Sequence, residues 1–450
     1  MLTSLKTKIK KCLPKTILAI ISWMLHPQKH INKIRKNREK ARTIKKTIKL
    51  HKESLQKLKN KEQIRCVFFA LYDSAWKYDG VFQIMMKDSR FKPVVLVCPV
   101  VNYGRDHMLQ TMEDAYICYH NKGYETIRSY DAINNKYIDV RRDINPDIIF
   151  YTNPYKGLID DRYYINKFYD ILTVYVSYNF GNSRDFNIFF NLPLHNLTWR
   201  NYAETSYHKS YAEIYATNHG ENVVVTGYSG IENFISSDYK PKDVWIDKNH
   251  IKKRIIWAPH HSIEPVGIVY YSCFLKYMDF MLFTASKYQK SIELCFKPHP
   301  LLRNKLNQLW GKEKTDEYYH LWDTMPNTSI NEGEYVDLFL ESDAMIHDSG
   351  SFLIEYLYTK KPVMRTMNEI DPKTMFNDFA LNALEVYYKA YNEQDIEQFI
   401  QNVIGGVDPM KEAREKFYQE RLLPPNGKLP SENIIDDIID SIKNQRVLAE

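Results

Sequence analysis

The chain has 450 residues, 44% of them hydrophobic and 14% aromatic, with a formal net charge of +7. That content can bury a large core and the length exceeds one usual domain, so a disordered or fibrous chain is excluded and two globular domains are predicted. The charge is concentrated: residues 1–60 hold 18 Lys and Arg against Glu39 and Glu53, a net of +16, so the other 390 residues carry −9.

Within the basic segment, Thr16–Leu25 (TILAIISWML) is the one apolar stretch. It is about half the roughly 20 residues a membrane-spanning helix needs. No small-residue cleavage pattern follows it and the cations continue past it, which predicts an interfacial anchor rather than a secretory signal. A cation near an anionic leaflet contributes about 1 kcal/mol, so residues 1–60 are expected to partner the cytoplasmic face of a membrane as a peripheral extension. Nucleic acid is not an expected partner, because the stretch lacks interleaved aromatics and the body is acidic. Cys12, Cys66, Cys98, Cys118, Cys273 and Cys295 are scattered with no C-x-x-C, so neither a disulfide framework nor a zinc site is implied and a reducing cytoplasm fits.

From residue 64 strands and helices alternate. Ile64–Tyr72, Pro93–Cys98, Tyr124–Ser129, Asp147–Tyr151, Ile171–Val176 and Val223–Gly227 read as strands, with helices over Trp76–Asp88, Asp106–Asn121 and Tyr163–Tyr169. Residues 239–247 (YKPKDVWID) are polar and Pro-bearing, as a domain join is. A second alternation follows. Arg254–Ala258, Ile292–Phe296, Asp343–Ile346 and Pro362–Arg365 are predicted strands; Ser272–Tyr288, Leu301–Trp310, Tyr335–Leu340 and Phe352–Tyr358 are predicted helices. Helices over Ile396–Ile404, Pro409–Leu422 and Glu432–Lys443 close the chain. Two doubly wound α/β halves emerge, whose ligands bind beyond the carboxyl ends of the strands.

Three chemical segments fall on such ends in the second half: Pro259-His260-His261-Ser262, FKPHP at 296–300 and IHDSGSF at 346–352. His299 is clamped between two prolines beside Lys297, and Asp348, Ser349, Gly350 and Ser351 stand where a helix should begin, with Glu355 a turn later. A stiffly held histidine and a hydroxyl-rich helix start suit a diphosphate. Phosphoryl transfer needs positioning and charge stabilisation, which Lys297 and His299 can supply, while one of His260, His261 or His299 can instead take a proton. His347 extends an apolar strand and reads as a core residue. No D-x-D pair, H-E-x-x-H or P-loop is present, so no metal and no resident cofactor is implied.

The order of A-P-x-x turn, F-K-P-H-P, and S-D-x-x-I-x-D-S-x-S-F followed by Glu and a K-P-V strand resembles the CDP-glycerol glycerophosphotransferase family of teichoic acid and capsule polymerases, over residues 145–425. TGYSGIENF at 226–234 is similar to that family's T-G stretch before the domain join. The resemblance implies a GT-B fold of two Rossmann-like domains facing a cleft. It implies transfer of glycerol phosphate from CDP-glycerol to a hydroxyl of a membrane-linked glycan or polyol-phosphate acceptor. It also implies that His299 is the essential KPHP histidine and that Asp348, Ser349 and Ser351 hold the donor diphosphate. Two departures stand out. The family's W-H-G-T-P is replaced by VYVSYNFG at 174–181, with Tyr178 in the place of the acceptor-side His, and T-W-R is replaced by PHHS. The second leaves another CDP-polyol or a nucleotide-sugar open as donor, and the first leaves open a scaffold without catalysis. The expected organisation is a basic helical extension over 1–60, an acceptor domain over 61–235, a nucleotide-donor domain over 250–425 and a final helix over 430–450.

Overall fold

The computed structural model describes residues 27–264 and 270–449; Cys12 and the apolar stretch Thr16–Leu25 lie outside them. The helix Pro27–Leu58 opens the described chain. Its buried positions Thr47, His51, Ser54, Leu55 and Leu58 recur at helical spacing, so only its second half packs down. There Ser54 Oγ donates to Asp170 O at 2.6 Å and Gln445 Nε2 donates to Leu55 O at 3.1 Å. The first half holds Arg35, Lys36, Arg38, Lys40 and Arg42 in solvent. Among the described residues no helix is long and apolar enough to cross a membrane.

Seven strands follow: β1 (Ile64–Ala70), β2 (Phe91–Val97), β3 (Thr126–Arg128), β4 (Ile148–Tyr151), β5 (Leu172–Val176), β6 (Arg200–Ala203) and β7 (Val223–Val225). They form one parallel sheet in the order β3-β2-β1-β4-β5-β6-β7. Central strands are buried on both faces, which is why IRCVFFA reads as a continuous apolar run; Phe68 stacks on Phe150 with ring centroids 4.2 Å apart. The second sheet has β8 (Lys253–Ala258), β9 (Ile292–Phe296), β10 (Thr328–Ile330), β11 (Ala344–His347), β12 (Val363–Thr366) and β13 (Tyr388–Ala390), all parallel in the order β10-β9-β8-β11-β12-β13. In both sheets the chain leaves the central strand to one side and returns to the other. In the second, this switch point lies between β8 and β11, where a ligand crevice opens. The two doubly wound, GT-B-like halves expected from the alternation are therefore present.

The halves are tied together by chain that crosses between them. The helix Pro430–Asn444 buries Ile434, Ile438 and Ile442 in the apolar cluster of the first sheet. Arg200, fully buried on β6, binds that helix through Asp437 Oδ2 at 2.9 Å and Ser441 Oγ at 2.7 Å. Residues 181–184 also run against 375–377, with Arg184 N–H donating to Met375 O at 2.9 Å and Asn377 N–H to Asn182 O at 3.0 Å. Phe180 stacks on Phe379 beside this seam, centroids 5.8 Å apart.

Some local expectations are corrected. No helix spans Tyr163–Tyr169; two single turns, Asp161–Tyr163 and Ile165–Lys167, stand there. Tyr163, Tyr164, Ile165 and Phe168 are all buried and only Asn166 and Lys167 are exposed, a narrow polar edge for a surface helix, and the Tyr163 hydroxyl ties the segment to Ser129 O and Ile138 O. The helix expected over Phe352–Tyr358 is α-helical only to Glu355 and then tightens into a 3-10 turn, and Pro409–Leu422 is a helix over Lys411–Phe417 followed by a π turn. The five described cysteines are free thiols.

Candidate active site

The carboxyl ends of β8, β9 and β11 lie side by side, because β8 pairs with both others: Trp257 faces Phe296 and Ile346 across the sheet. The loops after them therefore meet. The ring centroids of His260 and His261 lie 4.2 Å apart, those of His261 and His299 4.2 Å and those of His260 and His299 4.9 Å, with the rings tilted or edge-on to one another. His299 N–H donates to Pro259 O at 3.1 Å, which locks the β9 loop onto the β8 loop.

The three rings bring one nitrogen each within 4.8 Å of the others, a spacing that a transition metal also uses. The tautomers decide what the cluster binds. Ser262 N–H donates to His260 Nδ1 at 3.2 Å, and Leu301 N–H donates to His299 Nδ1 at 3.1 Å. His260 Nδ1 also lies 2.8 Å from Ser262 Oγ, which accepts from Tyr271 N–H at 2.9 Å and so has its own proton to give; with both Nδ1 atoms accepting, each neutral ring holds its proton on Nε2 and presents a donor there. Metal ligation through Nε2 requires the opposite tautomer. Two N–H donors aimed from adjacent strand ends are instead an anion seat.

Burial holds all three rings neutral without an anion. It lowers His260 well below 6.5, helped by His299 and His261; it lowers His261, helped by Lys305; and it pushes His299 down to about 3, helped by His261 and Lys297. Buried His51 and His195 are also pushed down to about 3 by burial, and burial lowers His208 and His347. Between about 3 and 6.5 the unfolded chain binds more protons than the folded one, so stability from these seven groups is lost as pH falls through that window. The buried carboxyls oppose this, since burial raises Asp348 to about 6 and Glu232 to about 7, along with Glu334 and Glu355, but they are fewer. The melting temperature of the unliganded protein is expected to fall between pH 7 and pH 5; thermal melts showing a rise on acidification would contradict this.

Asp348 lies beneath the cluster rather than in it. Its Oδ1 accepts from His260 N–H at 2.6 Å and its Oδ2 from Cys273 N–H at 2.7 Å and Thr366 Oγ1 at 3.2 Å. Arg365, buried at the end of β12, donates to Ser349 O at 2.9 Å and Asp348 O at 3.0 Å and packs against the Phe376 and Tyr271 rings. Lys297 Nζ spends its three donors on Asn331 O, Asn331 Oδ1 and Gly333 O, and burial pushes its pKa down to about 8. It pins the loop after β10 and leaves its charge behind His299. His347 is buried against the Tyr387 hydroxyl, 3.2 Å away, as a core residue is.

Ser349 and Ser351 face one another at 3.5 Å, and among the described residues their hydroxyls have no other partner. A Cβ at Gly350 would stand 3.1 Å from the Tyr271 ring, so any side chain there would require the ring to give by a few tenths of an ångström. Its carbonyl accepts from Asn182 Nδ2 at 2.8 Å, so the first domain touches this loop directly. Glu355 is buried and accepts from the Tyr335 hydroxyl at 2.7 Å; burial raises its pKa, and Lys77 of the first domain pulls it back. Tyr178 stands apart from the histidines. Its hydroxyl lies 3.1 Å from that of Tyr155, its carbonyl accepts from Tyr228 at 3.2 Å, and burial raises its pKa. Arg365, Thr366, Asn182 and Lys77 were not singled out from sequence. A cation ending an apolar strand beside HDSGS was the signal for Arg365; the others depend on contacts far apart in sequence.

Comparison with known proteins bears on this site. The model of a family described as CDP-Glycerol:Poly(glycerophosphate) glycerophosphotransferase matches residues 198–439, more than half of the chain. No curated protein matches in a sequence search. Among solved structures, the wall teichoic acid polymerase TagF superimposes with a TM-score of 0.54 at 15% identity, covering 92% of this chain and 98% of that one. MnaA of S. aureus bound to UDP gives 0.53 at 16% identity, covering 85% and 97%. A putative UDP-N-acetylglucosamine 2-epimerase of Listeria monocytogenes gives 0.53 at 15%, covering 85% and 97%. At these identities the likeness is one of fold.

Proposed function

The chain belongs to the CDP-glycerol:poly(glycerophosphate) glycerophosphotransferase family, and from that premise we propose that it transfers glycerol phosphate, or a related polyol phosphate, from a CDP-linked donor to a hydroxyl of a glycan or lipid-linked acceptor during synthesis of a capsule or similar surface polymer. The observation that carries this reading is the pair of Nε2–H donors on His260 and His299 at the ends of β8 and β9, next to the β11 loop that Asp348 ties to His260 and that carries the hydroxyls of Ser349 and Ser351.

In the reaction the acceptor oxygen attacks the phosphorus that bears the glycerol. The bond from that phosphorus to the bridging oxygen breaks, CMP leaves with the electron pair, and the acceptor's proton passes to His261, the imidazole of the cluster that is not assigned as an anion donor. Charge builds on the leaving phosphate and the equatorial oxygens, so fixed donors in a buried site do most of the catalytic work. His299 and His260 are the donors proposed to meet it, with Ser349 and Ser351 on the other side. Asp348, Arg365 and Lys297 act by positioning: Asp348 and Arg365 hold the His260 and Ser349 loops, and Lys297 fixes the loop behind His299 while adding positive charge. Glu355, beside Lys77, closes the nucleotide end. Tyr178, whose phenol burial disfavours as a base, orients the acceptor.

The helix Pro27–Leu58 supports a peripheral place on the cytoplasmic face of a membrane, because its unpacked half presents cations to whatever lies beneath. Calorimetric titration tests the donor. CDP-glycerol is expected to bind with proton uptake below neutral pH, as the anion favours charged imidazole. Binding to a UDP- or CMP-sugar with none to any CDP-linked polyol would overturn the reading.

A further inference from the structure

Four successive carbonyls follow the end of β11, and they are not all held from the same side. Those of Asp348 and Ser349 accept from Arg365 at 3.0 and 2.9 Å, and that of Ser351 accepts from Ile354 and Glu355 N–H at 3.3 and 3.4 Å, all within the second domain. The Gly350 carbonyl between them is met from the first domain, by Asn182 Nδ2 at 2.8 Å. Glycine is also the residue whose flanking peptides turn most easily, because no Cβ limits its backbone. The peptide of the turn with the most freedom is thus fixed by the other half of the molecule.

Asn182 is itself held firmly. Its N–H donates to Phe180 O at 2.8 Å and its carbonyl accepts from Asn377 N–H at 3.0 Å. On the first-domain side Gly181 N–H donates to Glu204 Oε1 at 3.2 Å, and Gly181 O lies 3.1 Å from His208 Nε2. On the second-domain side Asn377 Nδ2 donates to Gly181 O at 2.6 Å, Ser183 forms a bridge with Phe376, and Arg184 N–H donates to Met375 O at 2.9 Å. Phe376 in turn stacks on Tyr271 with centroids 5.3 Å apart, and Tyr271 stands edge-on to His260 at 5.1 Å. The loop after β5 therefore backs the donor site at both Gly350 and His260.

The Asn182 side chain is 4% exposed, and its Oδ1 has no hydrogen-bond partner among the described residues. The bond made by Nδ2 and the desolvation of Oδ1 offset one another, so the residue adds little to stability. What it adds is direction. A trans peptide is planar with its C=O and N–H opposed, so anchoring Gly350 O also fixes the direction of Ser351 N–H and the point from which the Ser351 hydroxyl faces Ser349.

We propose that Asn182 is a positioning residue for the donor: by anchoring the Gly350 carbonyl from the first domain, it sets the Ser349 and Ser351 hydroxyls in the arrangement that receives the donor phosphates. The donor site is then complete only when the two domains are docked. The inference rests on the transferase reading above and adds to its donor side a residue of the opposite domain.

The test uses the full chain with two variants. Asn182→Leu keeps the shape of the side chain and removes both polar edges; Arg184→Ala cuts the same loop's side-chain bond to Lys373 O and leaves the Gly350 contact in place. For Asn182→Leu, KM for CDP-glycerol is expected to rise about five- to tenfold, the effect of one buried hydrogen bond, with kcat within about twofold of the parent. Its melting temperature is expected to stay within about 3 °C. Arg184→Ala is expected to leave KM unchanged. A loss of folded protein lowers kcat and leaves KM alone, so a structural defect does not give this split. Amide exchange in the unliganded proteins is the second readout: residues 349–352 are expected to exchange faster in Asn182→Leu while the strands keep the parent's protection. An unchanged KM in Asn182→Leu, an equal rise in Arg184→Ala, or unchanged exchange at 349–352 would overturn the proposal. A parent protein that turns over no CDP-linked polyol would count against the transferase reading alone, and the exchange readout would then decide on Asn182.

Discussion

His299→Ala is expected to lower kcat/KM for the CDP-linked donor by about 10²–10³-fold, the loss that follows removal of one charge-stabilising donor. The fold should survive. The ring's structural bond is to Leu301 N–H at 3.1 Å, and Leu301 is 49% exposed, so water replaces the lost acceptor at a cost under about 1 kcal/mol. His299→Gln, which keeps an N–H donor without the imidazole, is expected to retain more activity than the alanine variant. CMP release measured beside a melting curve checks both. Activity within about fivefold of the parent, in a folded His299→Ala protein, would remove the histidine cluster from the mechanism.

Asp348→Ala should behave differently, because its carboxylate serves the protein rather than the substrate. It accepts from His260 N–H at 2.6 Å and Cys273 N–H at 2.7 Å in a site that is almost wholly buried. Removing it leaves two backbone donors unpaired, at about 1–3 kcal/mol each, and takes the nearby anion from buried Arg365. A loss of about 3 kcal/mol in unfolding free energy is expected by urea titration, together with loss of donor binding as His260 shifts. Activity lost at full stability would show that Asp348 meets the donor directly and that the positioning role is mistaken.

What could be read in the sequence, and what could not, follows from how local each signal is. β1, β8, β9 and β11 each hold a run of buried apolar residues (CVFFA, IIWA, LCF and AMI), and burial on both faces leaves that mark wherever the strand sits. β6 leaves none. Its residues RNYA include Arg200, which is tolerated because Asp437, 237 positions later, and Ser441 come back to meet it. β10 and β13 are three-residue pieces towards or at the sheet edge, too short for any period. The site divides the same way. The prolines around His299 and the doublet His260-His261 are local, and their meeting follows from parallel strands with adjacent ends. The tautomers and the seating of Asp348 under the loops depend on which strand lies beside which, an order set by packing across the whole domain, and the reach of Asn182 to Gly350 depends on how the two domains meet.

The most direct test of the central claim is ³¹P NMR of CDP-glycerol incubated with the protein and a glycan acceptor. The account expects the diphosphate resonances to give way to CMP and to one new phosphodiester per donor consumed, with His299→Ala leaving the diphosphate intact. An unchanged CDP-glycerol spectrum, in a protein that consumes a nucleotide-sugar and forms a glycosidic bond instead, would contradict it.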